Sequence, residues 1–282
     1  MPQDKIESYK GNTIQHGHYN DRIYLMKVAS FPSAGLPYEL IELAKTNGYS
    51  KIFAKVPKNI AELFFNTGFL EEARIPAFFS GKQPAVFMGY YLNAERIKEP
   101  DIERMENILK IAFGKRPTYE VQPLANRYIL RKCHETDVFV MAKIYQEIFP
   151  SYPFPIHDPD YLLKTMQSHI DYFGIETEDG LVAVSSAEVD KEAGNVEMTD
   201  FATLPEWRRN NFSQQLLARM ENEMKKKNIK TAYTIARAMS VGMNVTFSKA
   251  GYQFGGRLKN NTNISGRIES MNVWYKTPAG RP

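Results

Sequence analysis

Residues 196–213, VEMTDFATLPEWRRNNFS, carry the pattern that decides the fold of this chain. An extended run ends at Pro205, and a basic turn then leads directly into an amphipathic helix with the sequence QQLLARMENEMKKK. Where a strand feeds polar backbone into the start of a helix, free N–H groups and the positive end of the helix dipole converge. The turn from Arg208 to Asn211 therefore predicts a cradle for an anionic group such as a diphosphate.

Length and composition indicate a globular protein of two domains. A chain of 282 residues is too long for one ordinary core, and it suits two domains of roughly 125–155 residues each. We place these domains at residues 1–125 and 126–282. Hydrophobic residues make up 43% of the chain and charged residues 24%, which is typical of soluble globular proteins and excludes a disordered or fibrous class.

Charge, hydropathy and cysteine content limit the binding partners and the cellular compartment that we expect for this chain. A net charge of +4 forms no dense basic stripe, so we expect no nucleic-acid partner. No apolar run approaches the roughly 20 residues that span a bilayer, and the N-terminus lacks a secretory signal, so we expect no membrane association. Cys133 is the sole cysteine, which excludes an internal disulfide and favours a reducing compartment, the cytoplasm. The five histidines show no metal-site spacing, and we expect no metal.

Residues 126–282 show strand and helix patterns in a defined order. We predict a strand, two helices, three antiparallel strands, a helix, a strand, a helix and a final strand. These elements cover residues 128–133, 138–149, 159–170, 171–177, 181–190, 195–203, 211–227, 231–237, 241–250 and 269–276.

Residues 1–125 give a shorter pattern. The predicted elements are two short strands within 11–30, helices over 38–48 and 101–113, and a linker over 114–126. Asp101 follows Pro100 and is placed to cap the second helix. Pro117 and Pro123 are the main signals for the linker.

A weak internal repeat relates residues 49–91 to residues 229–275. Each copy has a short alternating strand, a break, a helix with an aromatic residue four positions before a Gly-aromatic pair, and a second alternating strand. The aromatic and glycine positions are Phe64 and Gly68-Phe69 in the first copy, and Phe247 and Gly251-Tyr252 in the second. Each glycine follows the helix at the place where a left-handed terminal residue is expected. The same strand–helix–strand unit is therefore predicted twice.

The order of elements in residues 126–282 and the motif after Pro205 resemble the GCN5-related N-acetyltransferases (GNAT). The resemblance implies an α/β (α+β) fold, in which a central, mostly antiparallel mixed sheet is flanked by helices. It further implies that a smaller, degenerate GNAT-like α/β domain precedes the catalytic one. GNAT enzymes are acyltransferases that use acetyl-coenzyme A as co-substrate, so we expect this chain to be an enzyme that binds acetyl-CoA.

Pro205 and Arg208 of this chain match the cofactor-binding motif of the family. Asn211 and Ser213 stand at positions where the family usually has glycine. Asparagine tolerates positive φ better than most residues, and serine can donate to phosphate. The cofactor-binding residues that the resemblance implies are Phe201, Ala202, Thr203, Arg208, Arg209, Asn210, Asn211, Phe212, Ser213, Asn244 and Phe247. The amides of Phe201 and Thr203 would meet the pantetheine arm. Phe247 replaces a tyrosine that many members use to protonate the leaving thiolate, so core packing is an alternative role for it.

Transfer of an acyl group to an amine requires the neutral amine, and an alkyl ammonium has a pKa near 10.4. Some family members carry a catalytic glutamate at the position of Glu197, which we predict to be the general base, with Asp200 as the alternative. Strand alternation predicts that Glu197, Thr199 and Phe201 share one face. The same alternation sets Met198, Asp200 and Ala202 on the other face.

Residues 259–276, KNNTNISGRIESMNVWYK, place a polar insertion where a tight hairpin is expected between the last strands. On such a loop Arg267 could pair with a carboxylate and Glu269 with an ammonium of a small amino acid. The predicted substrate-binding residues are Asn261, Asn263, Arg267 and Glu269. A solvated loop without that role is the alternative.

The segments TAYTIARA, GMN-x-TF, NNTNISG and ESMNVWYK are similar to those of the beta-lysine N-acetyltransferases. That family acetylates the terminal amine of beta-lysine to give a compatible solute, which implies a small amino-acid substrate and a role in osmoadaptation. Three other interpretations stay open. The chain could be an acetyltransferase of another small amine or diamino acid, or a degenerate CoA-binding module without activity. It could also be an aminoacyl-tRNA-dependent transferase, although the small net charge argues against that. The first domain could serve as a lid or as a homodimer surface, and the sequence leaves both open.

Overall fold

The computed structural model describes residues 2–115, 121 and 124–277. The predicted linker with Pro117 and Pro123 lies mostly outside these described residues. The elements are β1 (Lys5–Tyr9), β2 (Asn12–Gly17), β3 (Arg22–Lys27), α1 (Leu36–Thr46), β4 (Lys51–Pro57), α2 (Ala61–Phe65), β5 (Leu70–Phe79), β6 (Gln83–Tyr91), α3 (Ile102–Phe113), β7 (Ile129–Lys132), α4 (Val138–Ile148), α5 (Pro159–Met166), β8 (Ile170–Thr177), β9 (Gly180–Asp190), β10 (Asn195–Thr203), α6 (Phe212–Lys226), β11 (Thr231–Arg237), α7 (Val241–Lys249), β12 (Gln253–Ile264) and β13 (Arg267–Lys276).

All these strands belong to one mixed sheet, in the order β1-β2-β3-β4-β6-β5-β12-β13-β11-β10-β9-β8-β7. Most neighbours are antiparallel, and the parallel pairs are β3 with β4 and β10 with β11. The N-terminal half, β1 to β6, meets the C-terminal half where Gly256 of β12 pairs with Ala73 of β5. Gly256 has φ +137, and a Cβ there would lie 2.2 Å from a backbone oxygen of β5, so a glycine is needed for this close approach.

The predicted repeat is confirmed. In one copy β4, α2, β5 and β6 follow each other, and in the other β11, α7, β12 and β13, with β4 paired to β6 as β11 is to β13. Phe64 and Phe69 pack edge to face at 5.1 Å, while Phe247 and Tyr252 do so at 5.0 Å. Gly68 and Gly251, which precede Phe69 and Tyr252, have positive φ, as expected of a helix terminus. The division into two domains at residue 125 stays a prediction.

Three apolar cores cover the sheet. One core lies within the N-terminal half under α1 and α2, and another joins α6 and α7 to one face of β8–β10. The third lies under α4 and α5 on the opposite face, and it contains side chains of both halves, including Tyr24 and Phe53. Both halves therefore pack together on the face where α4 and α5 lie.

The helix α3 packs against the C-terminal half, although it belongs to the first predicted domain. Leu109 and Ala112 join the core of α6 and α7, and Ser248 Oγ of α7 donates to the Ala112 carbonyl at 2.7 Å. The predicted cap is absent, since the Asp101 side chain forms no capping hydrogen bond and pairs with Arg267 at 3.2 Å instead. The sequence prediction also missed β12, whose polar residues obscure its alternation.

Candidate active site

The strands β10 and β11 separate in the middle of the sheet. They pair in parallel only from Asn195 to Glu197, opposite Thr231 to Tyr233, although β10 continues to Thr203 and β11 to Arg237. The other edge of β10 stays paired with β9 as far as Thr203. Beyond Glu197, a gap therefore opens beside the backbone of β10, where an extended ligand can add as a strand.

A β-bulge in β10 sets the direction of its side chains. The register with β9 shifts between Thr199 and Ala202, and Asp200 has φ +55. The extra residue brings the Asp200 carboxylate to the same face as Thr199, where it accepts hydrogen bonds from Tyr152 and Ser186. The predicted strict alternation is therefore wrong after Thr199, because a bulge interrupts the two-residue period.

The same bulge moves Phe201 and Ala202. Phe201 packs against Phe247 with ring centroids 5.7 Å apart, on the face covered by α6 and α7. Ala202 joins the core under α4 and α5 instead. The two residues thus exchange the faces that alternation predicts for them, while Glu197 and Thr199 keep theirs.

The turn after Pro205 has the backbone that an anion cradle requires. Arg209 and Asn211 have φ of +69 and +58, and Asn211 immediately precedes α6. Asparagine thus takes a left-handed conformation that glycine adopts most readily. The first amides of α6, those of Phe212 and Ser213, have no acceptor in the described part of the chain. They are therefore available to an anion at the positive end of the helix dipole.

A cavity of about 1110 Å³ joins this turn to the gap between β10 and β11 and extends to the N-terminal half. Its volume is enough for a substantial organic ligand. The predicted site residues in its lining are Glu197, Asp200, Phe201, Thr203, Arg208, Arg209, Asn211, Phe212, Ser213 and Asn261. The predicted residues outside the lining are Ala202, Asn210, Asn244, Phe247, Asn263, Arg267 and Glu269.

Glu197 faces the cavity with a strongly perturbed acidity. Burial and the neighbouring Glu188, its direct cross-strand partner, raise the pKa of Glu197 to about 8. Lys55 acts in the opposite direction, as does a hydrogen bond with Tyr233. The Lys55 ammonium lies 3.3 Å from the Tyr233 hydroxyl. A carboxylate with a pKa near neutrality is suited to accept a proton from an ammonium.

Asp200 is buried, and its oxygens are occupied. Tyr152 and Ser186 donate to it, and the Thr199 hydroxyl lies within 3.4 Å. Burial raises the pKa of Asp200, although these donors oppose that effect. The carboxylate thereby fixes the bulge to Tyr152, in the segment after α4. This geometry favours Glu197 over Asp200 as the base.

Asn244 and Phe247 are both fully buried in the structure. The Asn244 amide donates to the carbonyls of Arg237 and Ser240, while its oxygen accepts from Asn272 at 2.8 Å and Trp274 at 2.9 Å. Its side chain is thus occupied in joining α7 to β11 and β13, so it lacks the free amide that a pantetheine contact needs. Phe247 fills the core, as Phe64 does in the first copy of the repeat.

The polar segment 259–266 belongs to a strand pair rather than to a loop. β12 and β13 meet at a two-residue turn, Ser265-Gly266, with φ of +54 and +86. The extra residues are accommodated in a bulge between Leu258 and Thr262. A tight hairpin is therefore present, and the prediction that a polar loop interrupts it is wrong.

The carbonyl oxygens of this bulge accept hydrogen bonds from cationic side chains of the N-terminal half. The donors are Lys51 Nζ to Lys259 at 2.6 Å, Arg96 Nε to Asn260 at 2.8 Å, and Arg22 Nη1 to Asn261. Asn263 adds a bond to the Tyr19 carbonyl at 2.8 Å. The segment thus fastens the two halves of the sheet together.

The predicted ionic residues of this segment are engaged elsewhere. Glu269 is buried and forms a bidentate pair with Arg237 at 2.8 and 2.9 Å. Arg267 pairs with Asp101 and Glu269 at 3.2 and 3.3 Å. Of the predicted substrate-binding residues, only Asn261 therefore lines the cavity.

The sequence prediction missed the wall that the N-terminal half contributes to the cavity. This wall consists of Arg22, Tyr24, Phe53 and Lys55. They alternate with aliphatic residues in RIYLMK and KIFAKVP, whose other face forms the core under α1 and α2. Charged and aromatic residues at every second position of a strand are the signal that could have found them.

Comparison with known proteins identifies the family. The model of the Acetyltransferase (GNAT) family matches residues 140–244. The beta-lysine N(6)-acetyltransferase of Methanococcus maripaludis is 38% identical over 275 residues, which cover 97% of this chain and 98% of that protein. The chain belongs to the GNAT acetyltransferase family. The beta-lysine N(6)-acetyltransferase of Methanosarcina mazei is 30% identical, with 83% of this chain and 93% of that protein covered. The predicted resemblance and the predicted acyltransferase class are confirmed.

The family match and the mixed sheet flanked by helices confirm the GNAT fold as well. Among solved structures, the ribosomal-protein-S18-alanine N-acetyltransferase from Escherichia coli is similar over 55% of this chain and 97% of its own, with 15% identity and a TM-score of 0.47. Within the described residues, no helix is long and apolar enough to cross a membrane. The same residues hold no cluster of three or more His, Cys, Asp or Glu side chains that could bind a metal ion.

Proposed function

We propose that this GNAT enzyme transfers the acetyl group of acetyl-CoA to the N6 amine of beta-lysine, and that the product serves as a compatible solute in the cytoplasm. The identity of 38% over nearly the whole length of a beta-lysine N(6)-acetyltransferase carries the proposal. The cavity supports it, because it joins the anion cradle of α6 to an acidic wall that contains Glu188 and Glu197. Such a wall suits an acceptor with ammonium groups.

The residues present fit acetyl-CoA. The free amides at the start of α6 and the side chains of Arg208 and Arg209 would hold the diphosphate. The backbone of Phe201 and Thr203 borders the gap beside β10 and would hold the pantetheine arm as an added strand. When bound there, acetyl-CoA supplies the acyl group as a thioester.

Glu197 would deprotonate the acceptor ammonium, which makes the amine nucleophilic. The free N–H groups along the gap would stabilise negative charge on the carbonyl oxygen. Phe247 has no proton to donate, and a thiol with an unperturbed pKa near 8.5 leaves readily as the thiolate. The proposal therefore needs no acid from α7.

Thiol release from acetyl-CoA tests the proposal. We expect beta-lysine to give the highest kcat/KM in a set with lysine, ornithine and a polyamine, and the product to carry its acetyl group on N6 by NMR. Acetyl-CoA without an amine controls for hydrolysis. A higher kcat/KM for another diamino compound would replace beta-lysine as the substrate. If none of these amines causes thiol release and calorimetry shows no binding of CoA, the results would support the degenerate module.

A further inference from the structure

Two polar atoms in the wall of the cavity lack partners although their residues are buried. Arg22 is 3% exposed and Asn261 is 1% exposed, and both line the cavity. Arg22 Nε and Asn261 Oδ1 have no hydrogen-bond partner in the part of the chain that the structure describes. Buried polar atoms are normally satisfied, so this donor and this acceptor in one cavity have hydrogen-bonding capacity that a ligand could use.

The donor and the acceptor are held side by side. Arg22 Nη1 donates to the Asn261 carbonyl and to Thr262 Oγ1, the latter at 3.2 Å. The guanidinium also lies over the rings of Tyr24 and Phe53, at 5.4 and 5.7 Å from their centroids. These contacts hold the guanidinium in place and occupy its Nη1 group. The edge that carries Nε therefore has no partner among the described residues.

The charge of Arg22 has no counter-ion within the described residues. No carboxylate there forms an ion pair with it, whereas the neighbouring Lys51 pairs with Glu72 at 2.9 Å and Arg96 with Asp21 at 3.1 Å. Buried cations are normally paired. The free edge of a guanidinium matches a carboxylate, because two parallel N–H groups can donate to its two oxygens.

We propose that Arg22 and Asn261 bind the amino-acid end of the acceptor. The Nε edge of Arg22 holds the carboxylate, and Asn261 Oδ1 accepts from the adjacent ammonium. This inference rests on the proposed function, and it adds that the N-terminal half selects amino acids over simple diamines.

The cavity wall connects this end to the base. The ammonium of Lys55 lies 6.0 Å from the centroid of the same Tyr24 ring over which Arg22 lies. Lys55 Nζ lies 3.3 Å from the Tyr233 hydroxyl, and Tyr233 is the cross-strand partner of Glu197. The carbon chain of the acceptor would thus run along Tyr24, with its distal amine at Glu197.

Substrate analogues test the proposal on the unaltered enzyme. The analogues are the carboxamide of beta-lysine, which lacks the negative charge, and 6-aminohexanoic acid, which lacks the second ammonium. We expect kcat/KM to be at least about 30-fold lower for each than for beta-lysine, since each leaves one charge-assisted hydrogen-bonding group unpaired. Acetylation of beta-lysine and its carboxamide with equal kcat/KM would overturn the inference and leave the proposed function standing. No acetylation of beta-lysine would instead remove the proposed function.

Two variants locate the effect. Arg22→Gln should lower kcat/KM for beta-lysine by about 100-fold and for the carboxamide by much less, because the carboxamide has already lost the interaction. Asn261→Leu should show the same pattern with 6-aminohexanoic acid. Losses that are equal for substrate and analogue would contradict these roles, since a purely structural defect does not distinguish the two.

Controls separate folding from recognition. Lys45→Gln changes an exposed cation of α1 outside the cavity lining and should match the wild type. Calorimetric binding of CoA and the Tm should be retained in the Asn261→Leu variant. If Arg22→Gln fails to fold because its bond to Asn261 is lost, the Asn261→Leu variant and the analogue series still decide the question.

Discussion

Glu197→Gln is the most direct test of the chemistry. The substitution keeps the size of the side chain but removes the group that accepts the proton. Because kcat/KM reports the ionisation of the free enzyme, the relevant value is the pKa of about 8 that burial and Glu188 give to Glu197. Glutamate acts as a base only when ionised, so activity should rise with pH up to this value and then level off.

The size of the effect follows from two ionisations. In the wild type, kcat/KM should rise about tenfold per pH unit below pH 8, as the ionised fraction of Glu197 rises. In the variant, it should follow the free amine of the substrate, whose pKa is about 10.4, and so keep rising. The variant should be slower by about 10²–10⁴-fold up to pH 8. Above pH 8 this deficit should shrink by about tenfold per unit.

The assay is kcat/KM by thiol release from pH 6 to about pH 10, with CoA binding measured for both proteins to show that the cofactor site is intact. The variant should lack the bend near pH 8. A bend that persists in the variant, or a deficit that is constant across the range, would refute the assignment of Glu197 as the base.

Further substitutions test the surroundings of this site. Glu188→Gln removes a negative neighbour and should move the bend in the pH profile below pH 8, whereas Lys55→Met removes a positive one and should move it above; no movement of the bend would contradict their effect on Glu197. Asp200→Ala leaves the hydroxyls that donate to it unpaired and should lower the free energy of unfolding in urea by about 3 kcal/mol, with Asp200→Asn closer to wild type. Asn211→Val places a β-branched residue at φ +58 and should weaken CoA binding by calorimetry, while Asn211→Gly should not.

The sequence predicts much of the C-terminal half because local patterns determine it. The bounds of β10 and β11 were predicted to the residue, since alternation and the flanking turns define them. The turn before α6 was also predicted, including the tolerance of Asn211 for a left-handed backbone. The strand bounds and the turn each depend on residues within a single short segment.

Features that depend on distant residues were not predictable. Hydrogen bonds from Tyr152 and Ser186 hold the bulge at Asp200, and the sequence of β10 alone does not predict these partners. The segment 259–266 reads as a loop, because its carbonyls find their partners far away in the N-terminal half. The side chains of Arg267 and Glu269 pair with nearby charges, and only the folded sheet shows which partners those are.

Under the proposed function, the two halves of the sheet would have different roles at the shared cavity. In the C-terminal half, β10 and β11 pair over three residues and then separate, which leaves the edge of β10 for an acyl carrier. In the N-terminal half, β3 and β4 pair from Arg22 to Leu25 and contribute the basic side chains of Arg22 and Lys55 to the lining. The same lining contains the acidic side chains of Glu188 and Glu197 from β9 and β10. A cavity with basic groups from one half and acidic groups from the other would complement a diamino acid, because such a substrate carries both a carboxylate and ammonium groups.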